Sequence, residues 1–217
     1  MHLAQLWRYP VKSMAGEPLQ EAALGDFGVA GDRLVQVRDP DGQIATARSH
    51  PGLLLHHATL GPAGEPLVDG RPWTSPEVAR DVETAAGAGA GLFPAEGPDR
   101  FDILPLLVAT DGALAKFGRD LRRLRPNLVL GGVEDLAERG WEGRRLRIGD
   151  AVIALADLRG RCIMTTFDPD TGVQDVGVLH GIRRDFGGRL CLNASVERGG
   201  RIAVGQEVVL LDPASPA

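Results

Sequence analysis

Short apolar runs, each cut off within a few residues by glycine- or proline-bearing turns, recur along the whole 217-residue chain. Such frequent breaks suit short strands, and they point to a β-barrel or sandwich that carries only a few helices. The clearest unit is a hairpin. Leu34, Val35 and Val37 are strand formers, Asp39-Pro40-Asp41-Gly42 has turn chemistry, and Ile44 to Arg48 returns. The opening residues read as a strand ending in a turn at Pro10. Further strands are expected over 53–60, 103–110 and 127–132, in a hairpin turning at Gly149-Asp150, and in a closing pair around Gly199-Gly200. Ser75 and Pro76 open a helix that decays into glycine and alanine, so residues 76–100 are expected to be a variable loop. Thr110 or Asp111 caps a second helix over 111–118. Arg119, Arg122 and Arg123 sit at i, i+3, i+4 spacing and would share one face if that helix continued. Pro126 ends it and pushes Arg125 toward an extended backbone. Residues 176–187 read as a third helix. There is no strand–helix alternation of the dinucleotide-binding kind and no internal repeat.

No segment is apolar for long enough to span a membrane, and the N-terminus has no signal-peptide pattern, so the expectation is a cytoplasmic protein without a membrane partner. Two cysteines without a CxxC exclude a zinc or iron–sulfur site built from cysteine alone. A Cys162–Cys191 disulfide is open to the chain, but the missing secretion signal argues for a reducing compartment. Of 24 basic residues only Lys12 and Lys116 are lysine. Arginine is the better fork for phosphate and carboxylate. A net charge of -5 with local arginine clusters suggests a small anionic ligand and argues against nucleic acid.

One segment concentrates chemistry. In RGRCIMTTFDPDTG, Arg159 to Gly172, Cys162 follows Arg159 and Arg161 and precedes Thr165 and Thr166. Nearby guanidinium charge favours the thiolate, which is both nucleophile and metal ligand. The plainer alternative is a structural cysteine at a strand end. His50, His56 and His57 look like a metal cluster by type. However, adjacent residues of a strand point to opposite faces, so these histidines are read as structural.

Five stretches in a fixed order resemble one family. YPVKSMAGEPL and GVAGDRLVQVRDPDGQIATARSHPGLL resemble the N-terminal portion of the MOSC family, named for the C-terminal domain of molybdenum cofactor sulfurase. LRRLRPNLVL resembles its RPN motif, RCIMTTFDPDTG its cysteine signature, and RIAVGQEVVLL its closing strand. By pattern the chain is similar to the amidoxime-reducing component type. The resemblance implies a mainly β fold with some helices. It divides the chain into a smaller β-barrel-like portion at 1–75, the variable loop, and a MOSC-type β-barrel at 101–213. It also implies a molybdenum cofactor with Cys162 as the metal ligand. A soft thiolate suits a metal already held by sulfur. Matched position by position, the cofactor-binding residues are Lys12, Ser13, Arg33, Arg125, Asn127 and Arg161. Thr110 and Asp111 join them, because a helix start offers N–H groups to an anion. Asp168 is a candidate for managing protons beside Cys162.

The expected activity is the reduction of N-hydroxylated small molecules. Electrons would come from a separate donor of ferredoxin or flavin-reductase type, since the chain has neither a flavin fingerprint nor spare cysteines. Pyridoxal phosphate, the cofactor of the sulfurase's other domain, is not expected. It needs a Schiff-base lysine, and only Lys12 and Lys116 are available. The alternatives are a sulfur carrier or cofactor-binding module using a Cys162 persulfide, and a barrel whose cysteine is only redox-sensitive.

Overall fold

The computed structural model describes residues 1–213. It contains three α-helices, α1 (Pro76–Ala86), α2 (Asp111–Phe117) and α3 (Val176–Phe186), within a mainly β frame. Eight strands form the main sheet, in the order Val208–Leu211, Arg145–Ile148, Ala151–Gly160, Arg189–Arg198, Leu106–Thr110, Leu128–Gly131, His2–Arg8, Glu17–Leu19. All neighbours run antiparallel except Leu106–Thr110 beside Leu128–Gly131, which are parallel and bridged by α2. A bridge between His2 and Glu207, with Leu3 N donating to Gln206 O at 2.9 Å, ties the first strand back to the last. Closure removes exposed edges, so the sheet becomes a barrel.

Alternation decides what fills it. Leu128 and Leu130, Leu146 and Ile148, and Ile153 and Leu155 point inward at two-residue spacing and meet Leu3, Leu6 and Leu192. The strand Leu106–Thr110 is buried at every position. Its Leu106 and Val108 face the barrel, whereas Leu107 and Ala109 face Phe117, Val178, Ile182 and Phe186 of α2 and α3. A strand covered on both sides needs a continuous apolar run.

A second core joins Val11, Met14, Val35, Val37, Leu53, Val78 and Val82. Two three-stranded sheets surround it: Gly91–Pro94 with Val35–Arg38 and Ile44–Ala45, and Ala58–Leu60 with Pro66–Val68 and Arg71–Pro72. The expected division at residues 75 and 101 is not a division of the sheets. His2–Arg8 is a strand of the main barrel, and Glu21–Gly25 pairs with Gly200–Ala203.

Four local expectations are corrected. Residues 76–100 are not a loop. Ser75 Oγ caps α1 by accepting from Val78 N at 3.4 Å, and Gly91–Pro94 is a paired strand. Val78, Val82 and Ala86 bury one stripe of the helix, and this packing outweighs the weak glycine and alanine signal. The expected strand at 53–60 begins only at Ala58, because Pro51 opens a 3₁₀ turn through Leu55. The arginine helix does not form. Gly118 turns left-handed (φ 61°) and ends α2, and Arg122 and Arg123 lie on a separate turn capped by Asp120. Arg125 is left-handed as well (φ 57°), not extended.

Candidate functional site

The strand Ala151–Gly160 meets Arg189–Arg198 through three register shifts, between Val152 and Ile153, Leu155 and Leu158, and Leu158 and Gly160. Such bulges bend and twist a strand and re-aim the side chains beyond them. Here they carry Arg159, Arg161 and Cys162 to the wall of a cavity of ≈ 290 Å³. Cys162 begins a 3₁₀ turn, and its carbonyl accepts from Thr165 N at 3.1 Å and Thr165 Oγ1 at 2.9 Å. Thr166 Oγ1 donates to Ile163 O at 2.6 Å. Both threonines are buried and shape the turn, and Thr165 also lines the cavity. The half-buried Cys162 sulfur is left facing the cavity beside Arg48.

Six arginines line that cavity, Arg33, Arg48, Arg123, Arg125, Arg159 and Arg161, with Asn127, Asn193 and a single carboxylate, Asp102. Lys12 stands behind the wall. Its Nζ lies 3.1 Å from Asp102 and donates to Arg100 O at 3.1 Å. Arg48 and Arg159 converge on the same carboxylate at 2.7 and 3.4 Å. Burial alone would raise the Asp102 carboxyl, but Lys12 and Arg48 more than offset it and hold it below the ordinary range. Arg33 pairs with the buried Asp32, and Arg123 with Asp168 at 2.9 Å. Seven cations thus face three carboxylates, a surplus of four positive charges.

Arg125 and Arg161 form no ion pair among the described residues. Arg125 donates to Met14 O at 2.6 Å and lies over the Tyr9 ring at 4.2 Å from its centroid. Burial pushes its guanidinium down to about 10. Arg161 donates to Leu124 O at 2.8 Å, yet its Nε is buried with no acceptor. An orphaned buried donor costs about 1–3 kcal/mol, more when charged. Together with the charge surplus, it marks a place made for an anion that accepts hydrogen bonds. A cofactor carrying a phosphate and a polar ring edge fits this donor set, and the half-buried, disulfide-free Cys162 fits a soft metal.

The structure therefore brings Arg33, Arg125, Asn127, Arg161 and Cys162 to one cavity, with Lys12 one ion pair away. It places the other candidates elsewhere. Ser13 Oγ is buried and accepts from Ala47 N at 3.0 Å, which braces the loop holding Arg48. Thr110 is wholly buried; its hydroxyl accepts from Ala113 N and donates to Glu138 Oε2, both at 3.2 Å. The Asp111 carboxylate accepts from Gly132 N at 2.7 Å, Val133 N at 3.0 Å and Gly112 N at 2.9 Å. Thr110 caps α2, Asp111 ties its first turn to the Gly132-Val133 backbone, and neither lines the cavity. Asp168 also stays outside it. Its carboxylate accepts from Asp170 N, Thr171 N and Thr171 Oγ1 in a tight turn closed by left-handed Gly172 (φ 68°). Those donors, with Arg123, hold it below the usual carboxylate range, which suits an anchor and not a proton carrier. His56 bonds to Asp69 at 2.8 Å and His50 to Ser49 at 2.9 Å; neither lies on a strand.

Asp102 and Asn193 have no signal in the sequence. Arg48 lies in the run ATARSHPG without a distinguishing neighbour. Arg33 and Arg125 in the cavity wall have φ values of 49° and 57°, Ser13, which braces the Arg48 loop, has 72°, and Cys191 behind the wall has 68°. Left-handed backbone at residues other than glycine is costly and collects where function over-determines geometry.

The barrel thus gathers six guanidinium groups and a free, half-buried cysteine around one cavity. The MOSC N-terminal beta barrel domain model matches residues 1–84 and the MOSC domain model residues 111–209, and the chain belongs to the MOSC family. It is 27% identical over 231 aligned positions to mitochondrial amidoxime-reducing component 1 of Homo sapiens, which covers 79% of this chain and 67% of the relative. It is 28% identical to mitochondrial amidoxime reducing component 2 of Macaca fascicularis, with 80% and 68% covered. The YUAD protein of Bacillus subtilis shares the fold, with a TM-score of 0.54, 16% identity, and 98% and 96% of the two chains covered.

Proposed function

We propose that this protein holds a molybdenum cofactor in the arginine-lined cavity, with Cys162 as the metal ligand, and reduces N-hydroxylated small molecules. The observation that carries this reading is the surplus of guanidinium groups around an available sulfur, above all the buried Arg161 Nε that lacks an acceptor. Arg33, Arg125 and Arg161 would hold the anionic parts of the cofactor. Asn127 is already bound to Leu107 N at 3.1 Å, so it fixes the wall that they share. Lys12 and Arg159, locked to Asp102, keep that carboxylate from competing for the other arginines. Asp168 anchors Arg123 and thereby positions it. The cofactor, when bound, supplies the two-electron chemistry. In the net reaction the substrate N–O bond breaks, two electrons arrive from a separate donor protein, and two protons complete the N–H product and water. The relatives named above are amidoxime-reducing components, and that activity supports the substrate class. A Cys162 persulfide alone would need far less positive charge than this cavity presents, which favours the cofactor over the carrier reading.

The test is protein made in a host that synthesises the cofactor, assayed for molybdenum, for pterin and for viologen-coupled amidoxime reduction. Wild type is expected to hold about one molybdenum per chain, in line with a single deprotonated sulfur ligand. Cys162→Ser should lose metal and turnover while keeping its circular dichroism. A folded wild type holding neither molybdenum nor pterin overturns the proposal.

A further inference from the structure

The arginine-lined cavity shares a wall with a second, quite different one. Arg123, Arg125 and Met164 line both. The second cavity measures ≈ 160 Å³ and is walled by Trp7, Tyr9, Pro18, Leu54 and Phe167. Its polar neighbours are already engaged. Trp7 Nε1 donates to Gln5 Oε1 at 3.0 Å and the Tyr9 hydroxyl to Pro126 O at 3.1 Å. Arg122 is clamped between Asp120 and Asp170, and Arg123 is bound to Asp168. What remains for a guest is ring faces and alkyl groups, the His57 imidazole, whose ring makes no hydrogen bond among the described residues, and the Arg125 guanidinium, which bonds the Met14 carbonyl and lies over Tyr9. Gly16 lets its backbone pack directly against the Tyr9 ring and the Arg8 carbonyl, which a Cβ would strike.

We infer that this second cavity is the seat for the substrate's body, and that it selects N-hydroxylated compounds bearing a single aromatic ring. The inference rests on the reductase reading for the word substrate. The size argument is direct: apolar cavities of roughly 150 Å³ accept a benzene-sized ring, and a fused bicycle needs more room. Flat aromatic walls prefer an aromatic guest, with ring centroids about 4.5–7 Å apart. Since Met164, Arg123 and Arg125 line both cavities, a ring seated here lies beside the cavity that holds Cys162.

The experiment uses the full chain with two readouts. Benzamide has the ring but no N–O bond, so its binding to cofactor-free protein is measured by calorimetry. The loaded protein is then assayed with benzamidoxime and with the ringless acetamidoxime. Wild type should bind benzamide and favour benzamidoxime in kcat/KM by about tenfold or more, the worth of burying part of one ring. Leu54→Trp fills the space, and Trp7→Leu, at a half-exposed strand position, removes one ring wall. Each should weaken benzamide binding and reduce the preference ratio by about tenfold. Equal kcat/KM for the two amidoximes, with no benzamide binding, overturns the inference and leaves the reductase reading intact. A ratio unmoved in a folded variant does the same. No turnover of either amidoxime, with benzamide binding that Leu54→Trp abolishes, sinks the reductase reading and leaves the ring site standing.

Discussion

Asp102→Asn separates the two tasks of the cationic cavity, holding itself together and holding an anion. The Asp102 side chain is 30% exposed and meets Lys12, 10% exposed, and Arg159, 19% exposed; Arg48, at 46%, is half in solvent. The Arg48 pair is screened and adds little. The other two are sheltered, and at about 1 kcal/mol each they contribute about 2 kcal/mol to folding. With a urea dependence of about 2 kcal/mol per molar, the variant's unfolding midpoint at pH 7 should fall by about 1 M. Because the folded carboxyl sits below its unfolded value, this stabilisation is present above about pH 4 and is lost as pH falls through the lower, folded value. The gap between wild type and variant should therefore close in acid. The change also raises the cavity's surplus from four charges to five, so added phosphate or pyrophosphate should raise the variant's midpoint more than the wild type's. An unchanged midpoint at pH 7, or a smaller response to anion, would refute the assignment of Asp102 as the counter-charge of an anion site.

Arg161→Leu removes the orphaned Nε, so the cofactor-free protein should unfold no earlier than wild type, while molybdenum retention after gel filtration drops by about tenfold. A large loss of stability without loss of metal would assign Arg161 to the core alone. Glu138 is buried, its Oε1 has no partner, and burial holds its carboxyl above the ordinary value. The folded state therefore keeps a proton that the unfolded chain releases, and wild-type stability should decline as pH rises from about 4 through that raised value. Glu138→Gln should flatten the decline in thermal scans from pH 4 to 8; an equally steep slope would point to another group.

Much of the frame was legible. The hairpin at Asp39-Gly42, the Ser75 cap, the start of α2 at Thr110 and the strand that ends there come from turn chemistry, capping and apolarity, which act over a few residues. Of the expectations that failed, two fell to local signals, Pro51 and Gly118, and two to tertiary contact. The Gly/Ala stretch after Ser75 became helix and strand because Val78 and Val82 found a core to enter. Arg125 turned left-handed because its guanidinium is drawn over Tyr9 and onto the Met14 carbonyl, more than 100 residues away.

The candidate site divides the same way. By itself the sequence determined which residue types were available: a cysteine flanked by arginines, a Thr-Thr turn and an aspartate turn to hold it, and a chain of short strands. Only the tertiary structure decided that Arg33, Arg48, Arg125 and Arg159 surround that cysteine, that Thr110 and Asp111 spend their oxygens on Glu138 and the Gly132-Val133 backbone and Asp168 on its own turn, and that an apolar cavity lies next door. The physical reason is range. Caps and turns are settled between neighbours in the chain, whereas a charged cavity sums guanidinium groups brought from separate segments by strand pairing, and no window of sequence contains that sum.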